Sequence, residues 1–215
     1  QGIAYYNIDS DATGWLIYAA GSMGIHMSST GGDTWYSDEG DGYYGMAVAV
    51  SGDASSVYIG FDNFISYKSG SGDSSKWVAT NSEEANWNSI STDFTGKIIA
   101  GSFYTMPGYL NDGVYLSEDR GATYLELRFT TTSNTFNAVK VSSDGSMLYY
   151  VGSTGVHAYK ISTKVTVQGV LDKPITTGNW LGYVDCSKNG KYVVIGSYDH
   201  VWVSSDYGAT FKQTK

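Results

Sequence analysis

Acidic side chains are the most numerous groups in this sequence that can do chemistry, since 21 Asp and Glu residues accompany only 13 Lys and Arg. Two carboxylates that flank a glycosidic bond can hydrolyse it by acid and base catalysis. Six of these acids, however, have turn positions, where Asp is favoured for its backbone hydrogen bonds. The acids in turns are Asp11, Asp53, Asp93, Asp119, Asp144 and Asp206. The acids in other loops are Asp38, Glu39, Asp41, Asp62, Glu83, Glu84, Asp112, Asp172 and Asp199.

Histidine and cysteine are the other candidates for a reactive or metal-binding site. Imidazole is a common metal ligand, but His26 and His157 have equivalent third-strand positions in distant repeats, so no shared site with His200 is expected. The single cysteine, Cys186, lies in an apolar strand-like stretch and is predicted to face the core. Neither a nucleophile elbow nor a phosphate loop occurs. We therefore predict no catalytic residue and no cofactor, with a carboxylate-pair glycosidase as the alternative.

Two acidic loops keep a calcium site open as a second possibility. Asp38 to Asp41 and Glu83-Glu84 are rich in the carboxylate oxygens that Ca²⁺ prefers. The D-x-[DN]-x-[DN]-G spacing of a dedicated calcium loop is absent. Simple solvation of both loops is the competing interpretation.

The charge balance limits the classes of partner. The formal net charge is -8, and nucleic-acid binding depends on clustered basic side chains. No apolar run approaches the roughly 20 residues that span a bilayer. We therefore expect neither nucleic-acid binding nor membrane insertion. The sequence opens at Gln1 without Met, which is compatible with removal of a signal peptide and favours an extracellular or secreted protein.

One unit recurs five times at a spacing of about 40 to 50 residues, the period of a four-stranded propeller blade. Each copy contains a strand that ends in Ser-x-Asp or a similar group, a turn, and an apolar strand that ends in glycine. The copies are Asn7 to Gly21, Ala49 to Gly60, Ser89 to Gly101, Lys140 to Gly152 and Asp185 to Gly196. Their first strands are centred near Ile8, Val50, Ile90, Val141 and Cys186.

A second motif follows the third strand of several copies. Residues 117 to 124 and 204 to 211 both match S-x-D-x-G-x-T-[aromatic], and residues 28 to 35 match it except for Thr30 in the Asp position. The Asp is expected to accept backbone N–H bonds, the Gly to supply a positive φ, and the aromatic ring to fill the base of the blade. The predicted structural residues are Ser28, Gly32, Trp35, Ser117, Asp119, Gly121, Tyr124, Ser204, Asp206, Gly208 and Phe211.

These motifs resemble those of the Asp-box (BNR-repeat) propellers, a group with sialidases, xyloglucanases, sortilin-type receptors and photosystem assembly factors among its members. The resemblance covers nearly the whole chain and implies an all-β, five-bladed β-propeller of four-stranded antiparallel blades. It identifies a scaffold that serves many functions. A sialidase site needs three arginines, and this sequence has only Arg120 and Arg128. Sialidase activity is therefore excluded.

The repeats divide the chain into a single domain of five consecutive blades. The predicted blades are residues 1–41, 42–84, 85–130, 131–174 and 175–215. The first unit begins with its innermost strand and the last ends with its outermost strand, so we predict a ring that closes without exchange of a strand. A fragment of a larger ring, or an assembly of several chains, is the alternative.

Function is expected at the loops opposite the Asp-box turns, because loops on a rigid scaffold carry most binding sites. These loops combine aromatic residues with acids and amides, a mixture that suits protein contacts and also sugar rings. We therefore predict a non-catalytic module, a protein-contact or structural assembly subunit that binds a protein partner or itself, with carbohydrate binding as the alternative. The predicted contact residues are Tyr43, Tyr44, Phe103, Tyr104, Tyr109, Asn111, Asp112, Trp180, Tyr198 and Asp199.

The loop after Phe103 is the principal predicted contact. It runs to Asp112 and is longer than the corresponding loops of the other repeats. Long loops in compact domains are disproportionately functional. A loop that folds over the ring and caps its channel is the other interpretation.

Overall fold

The computed structural model is an all-β protein, and it describes residues 4–38, 45–61, 63–69, 76–104, 113–127, 135–172 and 181–214, with only the backbone at position 104. Within these ranges the chain forms 21 strands in five sheets. The same ranges contain no helix, and thus no helical segment suited to crossing a bilayer. The predicted all-β class is confirmed.

Each sheet contains four strands that are consecutive in the chain and pair with their neighbours in antiparallel fashion. The first sheet contains β1 (Tyr5–Ser10), β2 (Ile17–Gly21), β3 (Gly24–Ser28) and β4 (Tyr36–Ser37). The second contains β5 (Ala47–Val50), β6 (Ser56–Gly60), β7 (Ile65–Ser69) and β8 (Val78–Ala79). The third contains β9 (Asn86–Thr92), β10 (Ile99–Tyr104), β11 (Gly113–Ser117) and β12 (Leu125–Leu127).

The fourth and fifth sheets follow the same plan, with one added strand. The fourth contains β13 (Phe136–Val141), β14 (Met147–Gly152), β15 (Gly155–Lys160) and β16 (Val165–Gln168). The fifth contains β18 (Tyr183–Cys186), β19 (Val193–Gly196), β20 (Val201–Ser204) and β21 (Thr210–Gln213). Strand β17 (Val170–Leu171) pairs with β21 in parallel, so pairing to the fifth sheet begins before the predicted boundary at residue 174. The five predicted first strands are β1, β5, β9, β13 and β18.

Strand pairing fixes which residues of the five repeats are equivalent. The first strand pairs with the second through residues 11 positions apart. These pairs are Ile8–Ala19, Val48–Ile59, Ile90–Gly101, Val139–Tyr150 and Val184–Ile195. The alignment predicted from the acids alone, with Asp11 and Asp93 matched to Asp53 and Asp144, is therefore wrong by two residues in the first and third repeats.

Two side-chain chemistries close the same turn, which explains this error. In the first repeat, Asp11 Oδ1 directly accepts the backbone N–H of Leu16 at 2.9 Å. In the second, the acceptor is the Ser51 hydroxyl, which takes the N–H of Ser56 at 2.9 Å and is itself bound to Asp53 at 2.8 Å. The acid thus lies either at the acceptor position or two residues after it, and both arrangements satisfy buried backbone groups.

Consecutive sheets pack face to face and bury four apolar clusters, one at each contact between neighbours. The first strands contact one another in chain order, and side chains connect them. Asp9 accepts the backbone N–H of Val50 at 2.8 Å, and Ser91 accepts that of Val141 at 3.0 Å. Two of the four contacts between successive first strands, from β1 to β5 and from β9 to β13, are therefore anchored by a side-chain acceptor.

The predicted closed ring is not observed. Strand β18 makes no packing contact with β1 comparable to those between successive first strands in the described ranges. The outward faces of the first and fifth sheets instead remain exposed, as Ile8 (62 % exposed) and Tyr183 (77 %) illustrate. The five sheets therefore form an open arc. No local sequence pattern reports the angle between sheets, so counting the repeats did not predict this.

Candidate binding surface

The antiparallel meander gives the molecule two opposite edges. The first and third turns of each sheet share one edge, named here the turn edge, where the backbone N–H of Tyr207 bonds to the carbonyl of Lys191 at 3.1 Å. The turn between the second and third strands lies on the opposite edge, named here the loop edge. All predicted contact residues were assigned to this loop edge.

The turn edge is held by side chains at the predicted Ser, Asp and Thr positions. In the fifth sheet, Ser204 Oγ donates to Asp206 at 2.7 Å and accepts the N–H of Gly208 at 3.0 Å. Asp206 also accepts the N–H of Thr210 at 2.9 Å and its hydroxyl at 2.6 Å. Ser117, Asp119, Gly121 and Thr123 repeat this pattern in the third sheet. These carboxylates are occupied in turn structure.

The third-turn motif is altered in the remaining sheets. In the first sheet the Thr30 hydroxyl replaces the carboxylate and accepts the N–H of Thr34 at 2.9 Å, while Ser28 still accepts that of Gly32. Ser28 pairs with Ile17 across the sheet, and the same pairing position holds Lys68 in the second sheet. Trp35 is 41 % exposed, whereas Phe211 at the matching motif position is 1 % exposed. Trp35 therefore does not fill the base of its sheet as predicted, because its sheet has no neighbour on that side.

Acid is expected to weaken the turn of the fifth sheet. The hydroxyl and backbone N–H of Thr210 lower the pKa of Asp206 to about 2, against about 3.9 in an unfolded chain. A lowered folded-state pKa stabilises the fold above the unfolded value, and this contribution is lost as the pH falls from about 4 toward 2. Asp206→Ala should lower the free energy of unfolding by about 1–2 kcal/mol near neutral pH. The difference from the unmodified protein should shrink as the pH falls through this window.

Urea denaturation at several pH values measures this effect. Asp33→Ala is the matched control, because Asp33 lies in the first sheet's altered turn, where the Thr30 hydroxyl replaces the carboxylate. A deficit for Asp206→Ala that stays constant down to the lowest pH would contradict the assignment. Partner binding should be unaffected by Asp206→Ala, since the turn edge is opposite the loop edge.

Of the predicted contact residues, Phe103 is placed in the core. It is 5 % exposed, and its ring lies 5.4 Å from that of Trp87 and 5.3 Å from that of Tyr115. It is the last residue of β10 whose side chain the structure describes, and it packs between the second and third sheets. The prediction of a contact role for Phe103 is therefore wrong. Phe61 and Trp87, two aromatic residues that we also expected in loops of this edge, are buried as well.

Most other predicted contact residues lie outside the described residues. This applies to Tyr43, Tyr44, Tyr109, Asn111, Asp112, Trp180 and the side chain of Tyr104. The principal predicted loop, residues 105–112, belongs to the same group. These assignments stay predictions.

Tyr198 and Asp199 are the predicted contact residues that the structure places at the surface. They lie in the turn between β19 and β20, on the loop edge, and Tyr198 is 93 % exposed. Asp199 Oδ1 contacts His200 Nδ1, and His200 packs against Trp202 at 5.7 Å. An exposed ring thus stands beside a carboxylate held in place by its neighbour.

A row of charged side chains lies along the first strands and was not predicted. Asp9, Lys140 and Asp185 have the same pairing position in three different sheets. Lys140 Nζ lies 3.0 Å from Asp185 Oδ1. Burial raises the pKa of Asp9 despite the Val50 N–H and the charge of Lys140. Burial lowers the pKa of Lys140, but the charges of Asp185 and Asp9 outweigh it and raise that pKa. A correct repeat alignment would have revealed this row.

The remaining titratable candidates have structural surroundings. Burial raises the pKa of the Cys186 thiol to about 12 and lowers that of His157, and Cys186 packs against the core as predicted. Within the described ranges, no three His, Cys, Asp or Glu side chains are grouped as metal ligands would be. Asp38, a member of one suggested calcium loop, is bound by Lys68 Nζ at 2.7 Å. Glu39 and Asp41 lie outside the described residues.

Comparison with known proteins identifies the fold but no family. No protein-family model matches the chain, and no curated protein matches it. Among solved structures, the chain is similar to an ancestral GH74 enzyme with a TM-score of 0.78 at 15 % sequence identity. The similarity covers 99 % of this chain but only 31 % of that enzyme's chain. At this identity the likeness shows the fold alone, and together with the five sheets it establishes a propeller-like, all-β architecture.

Proposed function

We propose that this chain is an Asp-box propeller module that binds a partner through its loop edge and does not catalyse a reaction. The hydrogen bonds of Ser117, Asp119, Ser204 and Asp206 support the Asp-box assignment, because they follow the roles expected of that motif. The different roles of the two edges support a binding role for the loop edge. The acids of the turn edge maintain the scaffold, which leaves the loop edge free to vary.

The observation that carries this proposal is the exposure of Tyr198. The Tyr198 ring is 93 % exposed at the tip of a short turn, so its burial does not contribute to the stability of the fold. Tyrosine is enriched at protein interfaces, because its ring offers a large contact area and its hydroxyl can still form hydrogen bonds. We therefore place a protein contact or self-association at this turn.

A non-catalytic role is supported by the surroundings of the described carboxylates. Asp11, Asp93 and Asp144 accept hydrogen bonds within turns. Asp185, in the charged row, is paired with Lys140. A glycosidase needs two carboxyl groups free to face a substrate, about 5 Å apart in retaining enzymes and about 6.5–9.5 Å apart in inverting ones. Enzymatic activity like that of the GH74 neighbour is therefore not part of this proposal.

Carbohydrate binding is the second candidate, and the Tyr198–Asp199 pair favours it. An aromatic ring can stack on the apolar face of a sugar, while an adjacent carboxylate accepts hydrogen bonds from its hydroxyl groups. The structural neighbour is itself named as an enzyme of a GH74 type. The two candidates share the same surface and differ in the probe that detects them.

Replacing Tyr198 tests both candidates. Tyr198→Ala should raise the Kd of self-association about tenfold or more, as loss of a central aromatic contact does. Size-exclusion chromatography with light scattering, run at low and high protein concentration, measures the molar mass from which this Kd follows. Tyr207→Ala is the control, because Tyr207 is an exposed tyrosine of the same sheet on the turn edge.

The outcomes separate the candidates. Equal changes for Tyr198→Ala and Tyr207→Ala, or none for either, would refute a contact at the loop edge. Binding to a glycan array by the monomeric protein, lost in Tyr198→Ala and kept in Tyr207→Ala, would replace the protein contact by carbohydrate binding.

A further inference from the structure

The outward face of the first sheet has the composition of a buried interface but lacks a neighbour. We name this the first end face, formed by Tyr5, Ile8, Ala19 and Trp35, which border a groove of about 570 Å³. Ile8 is 62 % exposed. Its equivalents Val48, Ile90 and Val139 are 2 %, 7 % and 4 % exposed, because each packs on the preceding sheet.

The outward face of the fifth sheet is also exposed at positions that are buried in the other sheets. It is the face on which a following sheet would pack. We name this the second end face, formed by Tyr183, Asp185, Val194, Val201 and Val203. Val194 is 41 % exposed, whereas all of its equivalents in the other four sheets are 0 % exposed. These equivalents are Tyr18, Tyr58, Ala100 and Tyr149.

One hydrogen-bonding group at the second end face matches the acceptors of two internal interfaces. Asp185 has the position of Asp9 and Ser91, which accept a backbone N–H from the first strand of the following sheet. Its side chain is 65 % exposed. Asp185 is therefore placed to accept the same bond from a strand that would follow the fifth sheet.

We infer that further blades of the same repeat, contributed by polypeptide outside residues 1–215, fill the opening between the fifth and the first sheet. Such a blade would place β-branched side chains on Val194 and Val201, and a first-strand N–H on Asp185. Burial of apolar surface at these positions supplies the same driving force that joins the five sheets of this chain. Both end faces would then become internal interfaces.

A second copy seated on the second end face would require association between chains, which depends on protein concentration. Covalent blades match the short connection already present between the second and third sheets, residues 80–85.

An extended chain tests this inference. A copy of residues 42–84 is joined after Lys215, because this repeat follows an Asp at the Asp185 position in the first sheet. The Val194→Cys substitution places a thiol on the second end face. The rate at which this thiol reacts with a thiol reagent measures the exposure of the face. Val165→Cys on β16 is the control, since Val165 is 52 % exposed and belongs to neither end face. The native Cys186 thiol, with its raised pKa, supplies the background rate.

The expected result is a labelling rate at position 194 that falls about tenfold or more in the extended chain, as local opening becomes necessary for reaction. The rate at position 165 should not change. A second extension with residues 131–174 guards against poor fit of the first repeat. If neither extension protects position 194, the inference is wrong. It is also wrong if position 194 becomes protected in the unextended chain as the concentration rises, because a second copy then covers the face.

Discussion

Replacing Lys68 by methionine is expected to lower the free energy of unfolding by about 3–5 kcal/mol, the usual effect of removing one partner from a buried ion pair. Lys68 is 1 % and Asp38 8 % exposed, and Lys68 Nζ bonds to both carboxylate oxygens at 2.7 and 2.9 Å. Without Lys68, the Asp38 carboxylate would be buried with its charge uncompensated. Urea denaturation measures the loss.

A double variant separates the charge effect from lost packing. Lys68→Met combined with Asp38→Leu removes both charges and should recover most of the stability, because apolar replacements of a buried pair are often neutral. If the double variant is as unstable as the single one, the ion pair is not the cause. The aliphatic part of Lys68, together with the position of its Nζ 5.7 Å from the centroid of the Trp77 ring, would then be responsible.

Truncation of Tyr58 is expected to cost about 3–5 kcal/mol, as for other fully buried aromatic side chains. Tyr58 is 0 % exposed, and its hydroxyl donates to the carbonyl of Gly96 in the next sheet at 2.7 Å. Tyr149 makes the same bond to Gly190 at 2.6 Å. The ring and its hydroxyl therefore connect neighbouring sheets at two places in the molecule.

The hydroxyl and the ring can be tested separately. Tyr58→Phe keeps the ring but leaves a buried carbonyl without this donor, which costs about 1–2 kcal/mol. Tyr36→Ala is the control, because Tyr36 is 54 % exposed on the outer strand β4. If thermal unfolding shows equal losses for Tyr58→Ala and Tyr36→Ala, burial between sheets is not what makes Tyr58 important.

The sequence predicted those features that depend on local chemistry. First strands near Val50 and Val141 were located correctly, because apolar runs and turn residues recur at a fixed period. The turns at Asp119 and Asp206 were also predicted, since their hydrogen bonds link residues within one short motif. Repeats of this kind determine much of a propeller-like fold before any long-range contact is considered.

Other features depend on contacts between distant residues, and the sequence did not predict them. The ion pair of Lys68 with Asp38 joins residues of two sheets, and neither residue belongs to a conspicuous motif. Phe103 was assigned to a surface loop, whereas strand β10 extends through it and buries its ring. For the candidate site, only Tyr198 and Asp199 are both predicted and observed at the surface.

The side-chain anchors between first strands affect how the protein loses its structure. Asp9 and Ser91 join successive first strands by single side-chain hydrogen bonds and not by a continuous backbone ladder, so each sheet keeps its own backbone ladder. Stability then approximates a sum of sheet terms and nearest-neighbour terms, as in a linear array. The third sheet has neighbours on both sides, while the outermost sheets have one each. Unfolding in such an array proceeds from its ends by partial opening, and the middle sheet forms the last cooperative unit.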